Sequence, residues 1–192
     1  MMKWLLNAFV ICFATSAMAT TTHLRLDGEI NDESVTPILD GLANAPHKKG
    51  DSVLIEINSP GGETDPGFKL MKAIERFPAK VVCVVDGEAD SMASYIFVGC
   101  DVRAMTKRSV LMIHQPGMEG GGGHLNDWLN AADALTASAR AMFEHYSLHM
   151  RGMSVGELAT RTRGGREIWL SWVDAKRYGA VDIVVDRVEE LK

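Results

Sequence analysis

The sequence predicts an α/β protein built on a mainly parallel β-sheet covered by helices. Three observations carry that expectation. The runs SVLIEI (52–57) and KVVCVVD (80–86) are apolar and rich in β-branched residues, as strands buried on both faces are. Each is followed by a segment with helical spacing of its apolar residues. The alternation of strand and helix then continues to the end of the chain, which implies right-handed crossovers between parallel strands.

Taken in order, HLRLDGEI (23–30) alternates and reads as the first strand. DESVTPILDGLAN (32–44) is helical through Val35, Ile38, Leu39 and Leu42. The strand 52–57 runs into NSPGG, and PGFKLMKAIERF (66–77) is an amphipathic helix with Phe68, Leu70, Met71, Ile74 and Phe77 toward one side. The strand 80–86 leads to SMASYIFVG (91–99), a helix apolar all round and therefore buried. SVLMIHQP (109–116) is expected as a fourth strand, followed by GMEGGGGHL (117–125), a flexible loop. A long helix is expected over 126–150 and a short one over 154–162. VDAKRYG (173–179) is a helix closed by Gly179, and AVDIVVD (180–186) a last strand.

The first 19 residues read as an export signal. Lys3 precedes an apolar run from Trp4 to about Ala14, and the small residues Ala17 and Ala19 mark a cleavage site. The competing reading, an uncleaved anchor, needs about 20 apolar residues to span, more than this run has. Residues 20–192 are then one exported domain, periplasmic or secreted, with no stable membrane anchor. Loss of Lys3 with the leader takes the net charge from −5 to −6. With no basic stripe, nucleic acid is not an expected partner.

Cys83 and Cys100 are the two cysteines of that domain. From Cys83 the strand climbs ~3.3 Å per residue and the following helix descends ~1.5 Å per residue, so both cysteines return to the same level. A disulfide between them and a pair of buried free thiols are both open readings.

In parallel α/β proteins, sites gather at the carboxyl ends of the strands. Three features fall there: NSPGG (58–62), EADSM (88–92) and IHQP (113–116). Gly61 and Gly62 let backbone N–H groups approach an oxyanion closely. Ser91 at a helix mouth would present its oxygen and the N–H of Met92 to the same point, and His114 at a neighbouring strand end would take the serine proton. Ser91 is equally placed to be the N-cap of that helix, a role serine commonly fills.

These residues resemble a family. The stretch INSPGGETDPGFKLMKAIERFPAKVVCVVDGEADSMASYIF together with MIHQP is similar to the proteolytic subunit of Clp-type serine proteases, over roughly Leu24 to Val185. Ser91 follows Gly62 by 29 positions, the spacing of that family. The resemblance implies a ClpP/crotonase-like α/β fold, mainly parallel, with repeated ββα/βα units and flanking helices. It implies a serine endopeptidase with Ser91 as nucleophile, His114 as general base and an oxyanion hole from Gly62 and Met92. It also implies peptide or unfolded-protein substrates, a homo-oligomer, and neither metal nor other cofactor. Counting back from WLS places Glu167 where the family has its third, acidic member. Asp174 and Asp182 belong to the elements that follow, and Asp90 lies too close to Ser91; the competing role for Glu167 is a surface pair with Arg163 or Arg166.

The departures from the family are as informative. Asp90 and Ala93 stand where the family has Ala and Gly around the Ser-Met pair. A carboxylate beside a nucleophile opposes an oxyanion unless it points away or recognises a basic substrate group. The family's peptide-gripping strand after HQP is replaced by GMEGGGGHL. An exported chain also meets no ATP, and the lead between Thr20 and HLRLDG is short for a gating loop, so no ATPase partner is expected. Three alternatives follow: a decayed, oligomeric binding protein; a crotonase-type acyl-CoA enzyme using Glu88 and Asp90; and a serine–lysine dyad, for which Lys69, Lys72 and Lys80 are poorly placed.

Overall fold

The computed structural model describes residues 19–117 and 123–191. The expected export signal and most of the glycine-rich loop lie outside the described residues. Seven strands form one sheet: β1 (Thr21–Asp27), β2 (Ser52–Ser59), β3 (Lys80–Asp90), β4 (Val102–Thr106), β5 (Val110–Ile113), β6 (Ile168–Ser171) and β7 (Ile183–Val185). The helices are α1 (Asp32–Asn44), α2 (Thr64–Arg76), α3 (Met92–Val98), α4 (Leu125–His149), α5 (Val155–Arg161) and α6 (Trp172–Arg177), with a closing 3-10 turn at Val188–Leu191.

Strands β1-β2-β3-β4-β7 pair in that order, all parallel, as the apolar runs predict. The core lies between this sheet and α1, α2 and α3, with Leu26, Ile55, Ile57, Leu70, Ile96 and Phe97 fully buried. The start of α1 is fixed by a capping box, in which Ser34 N–H donates to Asn31 Oδ1 at 2.9 Å and Asn31 N–H to Ser34 Oγ at 3.1 Å.

The long strand β3 serves two neighbours. Val82–Val85 pairs with β4, whereas Glu88–Asp90 pairs with β5. The seam is at Gly87, where φ is 124° and a Cβ would collide with the Asn58 side chain. Around it, Gly87 N–H donates to Ser109 Oγ at 2.9 Å, and Ser109 Oγ donates to the Val85 carbonyl at 3.0 Å. The β4–β5 turn is thus tied to the point where the strand changes partner.

Two strands were not expected. β4 reads VRAMT, and its polar Arg103 is bound to Asp182 at 2.8 Å, which hides the strand's burial from any hydropathy pattern. β6 reads IWLS, too short for periodicity to register, and pairs antiparallel with β5. The strand expected as fourth is therefore fifth, and the sheet has an antiparallel edge.

Cys83 and Cys100 form a disulfide, with Cα atoms 6.0 Å apart, that joins β3 to the residues just past α3. Helix α4 buries Met142, Phe143, His145 and Tyr146 in its last turns, while Leu125, Trp128 and Leu129 at its start are exposed.

Candidate active site

Ser91 sits in the turn from β3 into α3. Its φ of 52° makes it the one non-glycine residue with positive φ among the described residues. Such a conformation costs of order 1–3 kcal/mol and persists only where the surroundings impose it. They do so here: Ser91 N–H donates to the Met112 carbonyl at 2.8 Å, and the Ser91 carbonyl accepts from Tyr95 N–H at 3.1 Å and Tyr146 Oη at 3.1 Å. Ser94 Oγ lies 2.8 Å from the carbonyls of both Ser91 and Met112 and 2.7 Å from Tyr146 Oη. Burial pushes the Tyr146 phenol well above its ordinary pKa, so it stays a donor.

The turn throws the Ser91 hydroxyl out of the helix. Ser91 occupies the N-cap position, yet its side chain makes no cap hydrogen bond. Instead Ser91 Oγ lies 2.6 Å from His114 Nε2. The structure thus separates two roles that the sequence leaves combined: the position caps, the hydroxyl does not. With His114 protonated on Nδ1, its Nε2 is an acceptor aimed at the serine proton.

The segment Pro60–Gly62 packs against this turn. A Cβ on Gly61 would stand 2.6 Å from the Asp90 carbonyl and 2.8 Å from Ser91 Cβ, and a Cβ on Gly62 would collide with the Ile30 carbonyl. Ile30 holds the segment from the other side, donating to Gly61 O at 2.7 Å and accepting from Glu63 N–H at 2.8 Å. Gly61 N–H is bound to Ser59 Oγ at 3.1 Å. Gly62, Ser91, Met92 and His114 all line one cleft of about 750 Å³, with Met142 and Pro116 on its walls.

The acidic residues divide clearly. The antiparallel register pairs Ile113 with Ile168, so one further step places Glu167 opposite His114. Its carboxylate is turned aside, accepting from Trp169 Nε1 at 2.9 Å, and no hydrogen bond joins it to His114. Among the described residues it pairs with neither Arg163 nor Arg166. Asp174 is engaged with Ser171 Oγ at 2.7 Å and Asp182 with Arg103. Lys69 pairs with Asp32 at 3.0 Å and is not among the described residues that line the cleft with Ser91.

Asp90 is the anomaly. It is 5% exposed, and its Oδ1 has no hydrogen-bond partner among the described residues. Burial, with the nearby Glu88 and Glu167, pushes its carboxyl up to about 6. Register pairs it with Met112, which puts both side chains on one face of the sheet.

Sequence reasoning missed Ser94 and Tyr146. Tyr146 lies 55 positions from Ser91, and no spacing rule links the two. The signal available for Ser94 was a hydroxyl inside a helix otherwise buried all round, where an unpaired polar group is costly. No group of three or more His, Cys, Asp or Glu residues is arranged to hold a metal ion among the described residues, and no helix there is long and apolar enough to cross a membrane.

The arrangement brings a histidine nitrogen against a serine hydroxyl beside a glycine loop. Residues 11–188 match the Clp protease family. The chain is 31% identical over 161 residues to an ATP-dependent Clp protease proteolytic subunit from Pleurastrum terricola, covering 82% of this chain and 80% of that protein. It is 31% identical over 162 residues to the same subunit from Chlorella vulgaris, covering 83% and 77%. It is 29% identical over 146 residues to proteolytic subunit 1 from Protochlamydia amoebophila, covering 74% and 69%.

Proposed function

We propose, from the premise that this chain belongs to the Clp protease family, that it is an exported serine endopeptidase working without an ATPase partner. The observation that carries the catalytic reading is the 2.6 Å approach of His114 Nε2 to Ser91 Oγ on a strained turn. Ser91 Oγ attacks the peptide carbonyl carbon while its proton passes to His114 Nε2. The carbonyl oxygen, now negative, receives the N–H groups of Gly62 and Met92. Collapse breaks the C–N bond, and the amine leaves with the proton from His114. Water then attacks the acyl-serine, again giving its proton to His114, and the carboxylic acid departs as Ser91 regains its hydrogen.

Glu167 is the third member in this scheme. Its place opposite His114 in the strand register supports the role, which requires its carboxylate to leave Trp169 and accept from His114 Nδ1. Export and ATP-independence rest on the leader-like first 19 residues; the relatives named above are ATP-dependent by name. Assembly into a homo-oligomer is supported by the exposed Leu125, Trp128 and Leu129 of α4.

A fluorophosphonate probe tests the catalytic reading. Labelling of the wild type that disappears in Ser91→Ala is expected, and a wild-type protein that stays unlabelled sinks it. Edman or mass mapping of the mature N-terminus tests the leader, and solution mass tests assembly. The decayed-protease alternative is favoured by the buried Asp90 beside Ser91 and by the Glu167 carboxylate bound to Trp169 in place of His114, and the same probe decides it.

A further inference from the structure

Ser91 lies near the midpoint of the 17-position loop that the Cys83–Cys100 disulfide closes. That loop is one unit, made of the upper part of β3, the Ser91 turn and α3. The turn is at its apex and the disulfide clasps its base, where both cysteines are buried. Helix α3 is too short to be stable by itself, so its position depends on what holds its two ends.

Contacts through α4 link base to apex. At the base, a Cβ on Gly99 would stand 2.5 Å from Met71 Sδ and 3.0 Å from His145 Cε1. His145 Nε2 lies 3.0 Å from the Tyr95 carbonyl of α3, and its ring stacks on Tyr95 with centroids 4.0 Å apart. The next residue, Tyr146, donates to the Ser91 carbonyl at 3.1 Å and lies 2.7 Å from Ser94 Oγ. A shift at the foot of α3 therefore presses on the same turn of α4 that props Ser91. The other tie at the base is a single hydrogen bond, from Val81 N–H to Asp101 Oδ2 at 2.8 Å, on an exposed residue. A disulfide closing a loop of this size restrains it by at least as much as one positive-φ residue costs.

We propose that the Cys83–Cys100 disulfide is a maturation switch: its formation seats the foot of α3 and completes the Ser91 turn, and the reduced chain leaves Ser91 slow to react. One cysteine thiolate attacks a disulfide of the oxidant, a protein or small-molecule disulfide, and the second displaces the oxidant's remaining sulfur. The oxidant's S–S bond breaks, the protein's forms, and the two thiol protons end on the oxidant's sulfurs. Burial of both cysteines then protects the bond, so the switch turns once. The chain is idle in a reducing compartment and becomes active in an oxidising one. The inference rests on the readings of Ser91 as nucleophile and of the first 19 residues as an export signal. Among the residues of β3 before Gly87, Cys83 is the exception whose loss reaches the chemistry.

The test is the rate at which a fluorophosphonate labels Ser91 well below the melting transition, with near-ultraviolet circular dichroism giving the folded fraction. It compares protein refolded with oxidised glutathione, protein refolded in excess dithiothreitol, and the Cys83→Ala/Cys100→Ala variant. Per folded molecule, the reduced and variant proteins are expected to label about tenfold or more slowly, within the range that misplacing a reacting group costs. Oxidised glutathione should restore the reduced protein and not the variant. Tyr146→Phe should slow the oxidised protein and add little to the reduced one, a non-additivity that shared positioning produces and a loss of stability alone does not. Equal labelling of oxidised and reduced protein, or additive effects in that cycle, overturns the inference. Where the reduced forms do not refold, Gly99→Ala decides: with the bond intact it crowds Met71 and His145 and should slow labelling severalfold, and unchanged labelling overturns the inference. An oxidised wild type that stays unlabelled defeats the peptidase reading, whereas labelling that ignores redox state defeats only the switch.

Discussion

The phenol of Tyr146, near the end of α4, donates to the carbonyl of Ser91 at 3.1 Å. A residue 55 positions away thus holds the Ser91 backbone in its positive-φ conformation. Tyr146→Phe removes that donor and leaves the ring's packing. We expect probe labelling of Ser91 to slow about three- to tenfold, and stability to fall by about 1 kcal/mol, the usual worth of one buried hydrogen bond. Slower labelling without loss of stability would still fit a positioning role; unchanged labelling would not.

Gly61 touches the same turn from the opposite side. Gly61→Ala forces a Cβ into the Asp90 carbonyl and Ser91 Cβ, at a φ of 91° that alanine adopts poorly. Labelling is expected to drop by about 100-fold or more, the scale of losing an oxyanion donor. Circular dichroism should show the sheet intact, because the collision is confined to one turn.

Glu167→Ala is expected to lower kcat about 10- to 100-fold, and Glu167→Asp to recover part of it, if the carboxylate orients His114. Trp169→Phe frees the Glu167 carboxylate from its indole partner and should not slow the enzyme. Full turnover in Glu167→Ala would remove this residue from the triad.

The Asp90 carboxyl has its folded pKa raised to about 6, by burial first and by Glu88 and Glu167 next. An acid raised on folding costs stability once ionised, so the cost is full above about pH 6 and vanishes as pH falls toward its ordinary value. Asp90→Asn is therefore expected to stabilise the protein at pH 8 by about 2 kcal/mol and to do nothing below about pH 4. Urea midpoints at the two pH values measure this; an equal gain at both would point to packing.

Reduction of Cys83–Cys100 opens a loop whose ends are 17 positions apart. A loop of that size contributes roughly 3 kcal/mol through the unfolded chain. Thermal melting with and without reductant should show the difference, and the Cys83→Ala/Cys100→Ala variant should match the reduced protein.

Much of this was legible in the sequence because it depended on local patterns. β2 and β3 announced themselves by buried β-branched runs, and Ser91, His114 and Gly62 by their place at strand ends. Counting rises along a strand and a helix brought Cys83 and Cys100 to one level but left disulfide and free thiols open, and the structure joins them. What was not legible depended on partners far along the chain. β4 looked polar because Arg103 is neutralised by Asp182, 79 positions on. β6 carries only four residues, yet its register is what sets Glu167 opposite His114. The supports beneath Ser91 come from α3 and α4 together, and no window contains both.

The seam at Gly87 divides one strand into two tasks. Up to Asp86, β3 is scaffold, paired with β2 and β4 deep in the sheet. From Glu88 onward it pairs with β5 and carries Ser91 toward His114. A saturation scan along the strand should therefore change character within a few positions. Substitutions before the glycine will register as lost abundance, and those after it as lost turnover in a protein that still accumulates. A single strand would then report, by position alone, where the architecture ends and the chemistry begins.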